Sequence, residues 1–142
     1  MFGRTPTKVD SSGRSLSDHP AAKKLAKSDP SELIPHIRAL AATLESATVD
    51  QLKSEVEEVR RELARGYSTA EPHLLVAGLS LVCEALRRKS NVRLYDVQLL
   101  AAIAMSRRCI AQMQTGEGKT FVALAASLYL SMAGRGVHVI TP

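Results

Sequence analysis

Apolar residues recur at helical spacing through the middle of the chain. After the turn and cap offered by Ser28-Asp29-Pro30-Ser31, Leu33, Ile34, Ile37, Leu40 and Leu44 line one helical face. Pro35 falls in the first turn of that helix, where its missing N–H costs little. Thr48 and Gln51 form a capping-box pattern, and Leu52, Val56, Val59 and Leu63 follow as a single stripe. The opposite face carries Lys53, Glu55, Glu57, Glu58, Arg60, Arg61 and Glu62, and Gly66 ends the helix. Ser68 and Glu71, with Pro72, suggest a second capping box. The helix behind it presents Leu74, Leu75, Val76, Leu79, Leu81, Val82 and Leu86, a wider apolar surface that implies deeper burial. Its last turn holds Arg87, Arg88 and Lys89, cations that the helix dipole favours there without any ligand.

Past Ser90-Asn91 the pattern changes. Asp96 can cap a helix running through Val97, Leu99, Leu100 and Ile103 to Met105. Cys109-Ile110-Ala111 reads as a short buried strand, followed by a glycine-rich loop. Lys119 to Met132 reads as an apolar helix, Gly134-Arg135-Gly136 breaks it, and Val137, Val139 and Ile140 read as a second strand. Strand, loop, helix and strand in that order predict a βαβ unit, hence a parallel sheet with a right-handed crossover.

The loop Met113-Gln114-Thr115-Gly116-Glu117-Gly118-Lys119-Thr120 carries the chemistry. A polyphosphate needs several backbone N–H groups pointing inward, and glycines let the chain curl that tightly. The helix that follows begins at its positive dipole end. Lys119 can reach the β- and γ-phosphates of ATP, and the Thr120 hydroxyl can hold Mg²⁺. Met113 stands where the common phosphate-loop pattern has glycine, so the match is to the helicase-type variant with a TGxGKT core. Gln98 lies upstream, on the preceding helix. Its amide has donor and acceptor together and can read the adenine edge, with Tyr95 beside it for stacking. Glu117 sits inside the loop, where a carboxylate repels phosphate unless it points away.

The expected fold class is therefore α/β: an N-terminal helical segment followed by the first βαβ unit of a truncated P-loop NTPase, helicase-like motor domain. Residues 1–20 are expected as a flexible polar tail, 21–92 as the helical segment (opening with a short helix from Ala21 to Lys27), and 93–142 as an incomplete nucleotide-binding domain.

Composition narrows the function classes. The chain has 142 residues, 45% hydrophobic and 23% charged, as a globular domain does. A net charge of +5 would suit phosphates, anionic lipid or nucleic acid, but it is scattered. The three Tyr and two Phe lie far apart, not interleaved with Arg and Lys, which argues against a single-stranded nucleic-acid groove. Cys83 and Cys109 fall in apolar runs and are expected buried and reduced, a cytoplasmic pattern. Neither they nor the four histidines have metal-ligand spacing. The charge-free run from Thr120 to Gly134 is too short to cross a bilayer.

Tyr95-Asp96-Val97-Gln98-Leu99-Leu100, Cys109-Ile110-Ala111, Met113 with Thr115-Gly116-Glu117-Gly118-Lys119-Thr120, and Gly136-Val137-His138-Val139-Ile140-Thr141 together resemble the start of the motor domain of the SecA family of preprotein-translocase ATPases. Asp50-Gln51-Leu52-Lys53 and Arg61-Glu62-Leu63-Ala64-Arg65-Gly66 resemble that family's N-terminal helices. The resemblance covers about residues 20–141. It implies an ATP-driven motor that pushes unfolded secretory proteins through a membrane channel. By that likeness Gln98 binds adenine, and Thr115, Gly116, Glu117, Gly118, Lys119 and Thr120 surround phosphates and Mg²⁺. It implies a cytoplasmic protein, peripheral at an anionic membrane surface, with the protein-conducting channel and the preprotein as partners. Gln112 and Gln114 stand where the family has an acid and a base, and Leu94 replaces a histidine. After Asp96 the only acidic side chain is Glu117, so the carboxylate pair that would hold Mg²⁺ and orient water is expected in a missing remainder of the motor. Two other readings compete. One is part of a superfamily 2 nucleic-acid helicase, which shares the loop and the upstream glutamine. The other is a non-catalytic helical interaction module with a vestigial loop.

Overall fold

The computed structural model describes residues 29–140; the expected tail over 1–20, the short helix from Ala21 to Lys27, and Thr141 lie outside them. Asp29 opens the described chain as a cap. Its carboxylate accepts from the Ser31 N–H at 2.8 Å, which holds the Asp29 pKa below the ordinary value, and a 3₁₀ turn, Pro30–Glu32, leads into α1, Leu33–Leu44. α2, Val49–Ala64, starts with the expected capping box: the Gln51 N–H donates to Thr48 Oγ1 and the Thr48 N–H to Gln51 Oε1. α3, Pro72–Ser90, differs at its start. Ser68 Oγ takes the Ala70 N–H, and Glu71 is the extended N-cap with no side-chain cap bond, so the second capping box is not formed. Pro72 at the first helical position supplies the entry instead. α4 is Asp96–Ser106 and α5 is Lys119–Ser131.

α3 is the centre of the bundle. It packs against α1, α2 and α5, while α4 and α5 form a pair. Two small buried residues let neighbours approach. Ser80 Oγ lies 3.0 Å from the Ile37 carbonyl oxygen of α1 and 2.6 Å from the Val76 carbonyl oxygen of its own helix. Gly78 faces the Tyr129 ring so closely that an added Cβ would lie 2.3 Å from a ring carbon. Tyr129 is fully buried, and its hydroxyl donates to the Thr69 carbonyl at 2.8 Å; burial raises its pKa. Leu33, Ile37, Leu75, Leu79, Leu99 and Ile103 fill the core around this contact. On the α2 side the buried Glu62 carboxylate reaches the His73 ring at 3.2 Å and Arg65 at 3.8 Å.

Two of the basic triplet, Arg87 and Arg88, have a role beyond the helix dipole. Glu84 is buried, and Arg87 and Arg88 both hold its carboxylate. Arg88 also donates to the carbonyls of Leu44, Glu45 and Ala47, closing the exposed end of α1. The Arg87 hydrogen bond is the largest cause of a depressed Glu84 pKa.

The expected α/β class is corrected here. Among the described residues there is no strand and no sheet, so the βαβ unit is absent from this structure. Arg108 takes a left-handed φ of 63° at the end of α4, and the Cys109 N–H closes that end on the Ala104 carbonyl at 2.9 Å. From there the chain runs irregularly to the loop, with Ile110 99% exposed. Val137 to Ile140 is irregular too, with Ile140 94% exposed. A strand exists only when a neighbour takes up its N–H and C=O groups, and neither segment has one among the described residues. Cys109 is accordingly exposed rather than buried, whereas Cys83 is partly buried, and burial pushes its thiol pKa up to about 11.

Two outcomes are expected. Gly78→Ala should cost about 1–3 kcal/mol in urea unfolding, and less when Tyr129 is already alanine. Because the folded Glu84 pKa lies below its ordinary 4.5, its stabilisation is complete above that pH and is lost as pH falls through the folded value. Glu84→Gln should therefore flatten the acid limb of a pH–stability curve and lower stability at neutral pH.

Candidate functional site

The loop residues Thr115, Gly116 and Glu117 turn, and α5 begins at Lys119. Two left-handed glycines make that turn: Gly116 at φ 94° and Gly118 at φ 79°. Gly118 is the N-cap of α5, and its carbonyl accepts from the Phe121 N–H at 2.9 Å. A Cβ there would also strike Gln98 Nε2 at 2.4 Å, so both conformation and space demand glycine. The stretch is curled rather than extended, with its amides at the positive end of a helix.

Gln98 joins this loop to α4. It is 5% exposed, in the first turn of α4. Its Oε1 accepts from the Tyr95 N–H at 2.9 Å, and its Nε2 donates to the Glu117 carbonyl at 2.9 Å. α4 is placed in turn by Arg38 of α1, which donates to Asp96 Oδ1 at 2.7 Å and to the Leu94 carbonyl. Asp96 is thus the first residue of the helix and an ion-pair partner, and Tyr95 takes the cap position. Leu94, where the resembling family has histidine, is buried as core.

A cleft of about 600 Å³ opens beside these groups, lined by Val92, Arg93, Tyr95, Gln98, Gly118 and Phe121, with Val97, Gly116 and Glu117 completing the wall. Of the sequence-derived site residues it gathers Gln98, Gly116, Glu117 and Gly118, with Tyr95 73% exposed beside them. Thr115, Lys119 and Thr120 are exposed next to the cleft and do not line it. The Lys119 ammonium has no ion pair among the described residues. The Glu117 carboxylate turns back on its own loop: its Oε2 accepts from the Gln114 N–H at 2.7 Å. The sequence reading missed Val92, Arg93, Val97 and Phe121 as wall residues. Phe121 follows the GKT run directly and was open to inference, whereas Arg93 becomes a wall residue only through the fold, where it pairs with Glu45 at 3.3 Å.

The residues fit a nucleotide. A glutamine amide has two donor hydrogens and two acceptor lone pairs. Gln98 spends one of each internally and keeps one of each, which is the complement of adenine's amino and ring-nitrogen edge. Among the described residues no group of three His, Cys, Asp or Glu side chains could hold a metal ion.

The SecA DEAD-like domain family matches residues 16–142. The chain is 39% identical over 119 residues to a protein translocase subunit SecA of Wolbachia sp. subsp. Brugia malayi, an overlap of 84% of this chain and 13% of that protein. To the subunit of Blochmanniella pennsylvanica it is 42% identical over 91 residues, 64% of this chain and 10% of the relative. To that of Wigglesworthia glossinidia brevipalpis it is 37% identical over 109 residues, 77% and 13%. The chain thus spans 10–13% of the length of these relatives.

Removing the Gln98 amide deletes two hydrogen bonds. Gln98→Ala should lower stability by about 1–3 kcal/mol in urea unfolding, and a loss under about 0.5 kcal/mol would contradict the tethering role.

Proposed function

The chain belongs to the SecA family, and from that premise we propose that its 142 residues supply the ATP-binding N-terminal part of a protein-translocating motor. One observation carries the reading: the residue suited to adenine and the loop suited to phosphates are a single bonded unit, through Gln98 and the Glu117 carbonyl. The base would rest in the cleft against Tyr95 and Phe121, with its edge on the free donor and acceptor of Gln98. The backbone N–H groups of Gly116, Gly118, Lys119 and Thr120 would face the phosphates, while that of Glu117 stays on the Gln114 carbonyl. Lys119, which has no ion pair among the described residues, would neutralise their charge, and Thr120 would give one oxygen to Mg²⁺. Bound ATP would supply the phosphoanhydride whose cleavage drives movement. Glu117 is this chain's only carboxylate after Asp96, and it is committed to Gln114, so the 142 residues alone are expected to bind nucleotide without hydrolysing it.

Partners follow from the same reading. The preprotein and the protein-conducting channel are the partners of the complete motor, which would work in the cytoplasm at the membrane face. No helix among the described residues is long and apolar enough to cross a membrane.

Mg-ATP should raise the thermal midpoint of the 142-residue chain more than Mg-GTP does, with about 1.4 kcal/mol of stabilisation at ten times Kd. Lys119→Ala should weaken ATP about tenfold or more. An ATP effect equal in the Lys119→Ala variant, or none at millimolar nucleotide, would defeat the proposal, and a Lys119-dependent ATPase rate from this chain would overturn its hydrolysis clause.

A further inference from the structure

Glu117 occupies an unusual place. It stands between the two left-handed glycines, in the part of the loop with the greatest backbone freedom. Three contacts converge on it. Its carboxylate accepts from the Gln114 N–H at 2.7 Å, its own N–H reaches the Gln114 carbonyl at 3.4 Å, and its carbonyl accepts from Gln98 Nε2 at 2.9 Å. Gln98 is itself fixed by the Tyr95 N–H. The chain from Gln114 to Glu117 is therefore closed on itself by a side chain, and the closed turn is anchored to α4.

We propose that Glu117 is a positioning residue: its carboxylate braces the phosphate loop in its curled form before any nucleotide arrives. This rests on the nucleotide reading above, and it assigns the Glu117 side chain a place in the loop's architecture and not among the phosphate ligands. The physical reason is entropic. Ordering a loop with two glycines at the moment of binding would be charged against affinity, and a loop already ordered avoids that cost. The price of the device is a negative charge near bound phosphate, which the geometry limits by turning the carboxylate back onto Gln114.

The brace makes a demand that charge alone does not. Gln114 needs an acceptor at position 117, and an amide oxygen serves as well as a carboxylate. Glu117→Gln should therefore keep the loop, whereas Glu117→Ala should lose it. Two readouts on the 142-residue chain decide the matter. In the nucleotide-free chain, hydrogen exchange at the Gln114 amide should quicken about tenfold in Glu117→Ala and stay near the unaltered rate in Glu117→Gln. In Mg-ATP titrations, Kd should rise about threefold to tenfold for Glu117→Ala and change by less than about twofold for Glu117→Gln. Unchanged Gln114 exchange in Glu117→Ala overturns the proposal. So does tighter ATP binding by both variants, since that outcome makes the side chain a repulsive charge and not a brace. If the unaltered chain binds no nucleotide, the functional reading fails by itself, and the exchange comparison still decides the brace.

Discussion

The arrangement of the candidate site depends on one side-chain amide. Gln98 sits nearly buried at the start of α4, with its oxygen on the Tyr95 N–H and its nitrogen on the Glu117 carbonyl. It ties the turn of the glycine loop to α4, while Met113 at the start of the loop packs against the core. The distances also explain why so small a residue as Gly118 is required: a methyl group there would occupy the space of the Gln98 nitrogen. The bond and the void on which it depends are two sides of one packing constraint.

The rest of the bundle serves to hold α4 and α5 still. α3 does this by close approach to its neighbours. Gly78 receives the Tyr129 ring of α5, and Ser80 meets the backbone of α1. Arg38 carries the order from α1 to the first turn of α4, and the Glu84 clamp closes the far end of α1. A chain of contacts, buried at Gly78 and Ser80 and exposed at the Arg38–Asp96 pair, thus runs from the N-terminal helices to the loop, and this gives residues 29–92 a reason to accompany it. Membership of the SecA family agrees with this continuity, since the family match spans both parts.

Much of this was legible in the sequence, and the failures have physical causes. The helices follow from periodicity that is local, and the Thr48–Gln51 box is local too, so both could be read residue by residue. Glycines at 116 and 118 announced positive φ, and both have it. The strands expected at Cys109–Ala111 and Val137–Ile140 are not formed, because three or four apolar residues do not define a strand; a partner does, and none is present among the described residues. The second capping box failed because Pro72 can begin the helix without a side-chain acceptor. Arg87 and Arg88 looked like dipole partners because nothing in the sequence said that Glu84, one turn earlier, would be buried. The wall residue Arg93 depends on tertiary placement alone.

The most direct test follows backbone and side-chain amide resonances of the 142-residue chain during a Mg-ATP titration. The N–H signals of Gly116, Gly118, Lys119 and Thr120 and the side-chain NH₂ of Gln98 should move together, saturating with one common Kd. Resonances that stay fixed at those five positions while nucleotide is bound elsewhere, or not at all, would contradict the account.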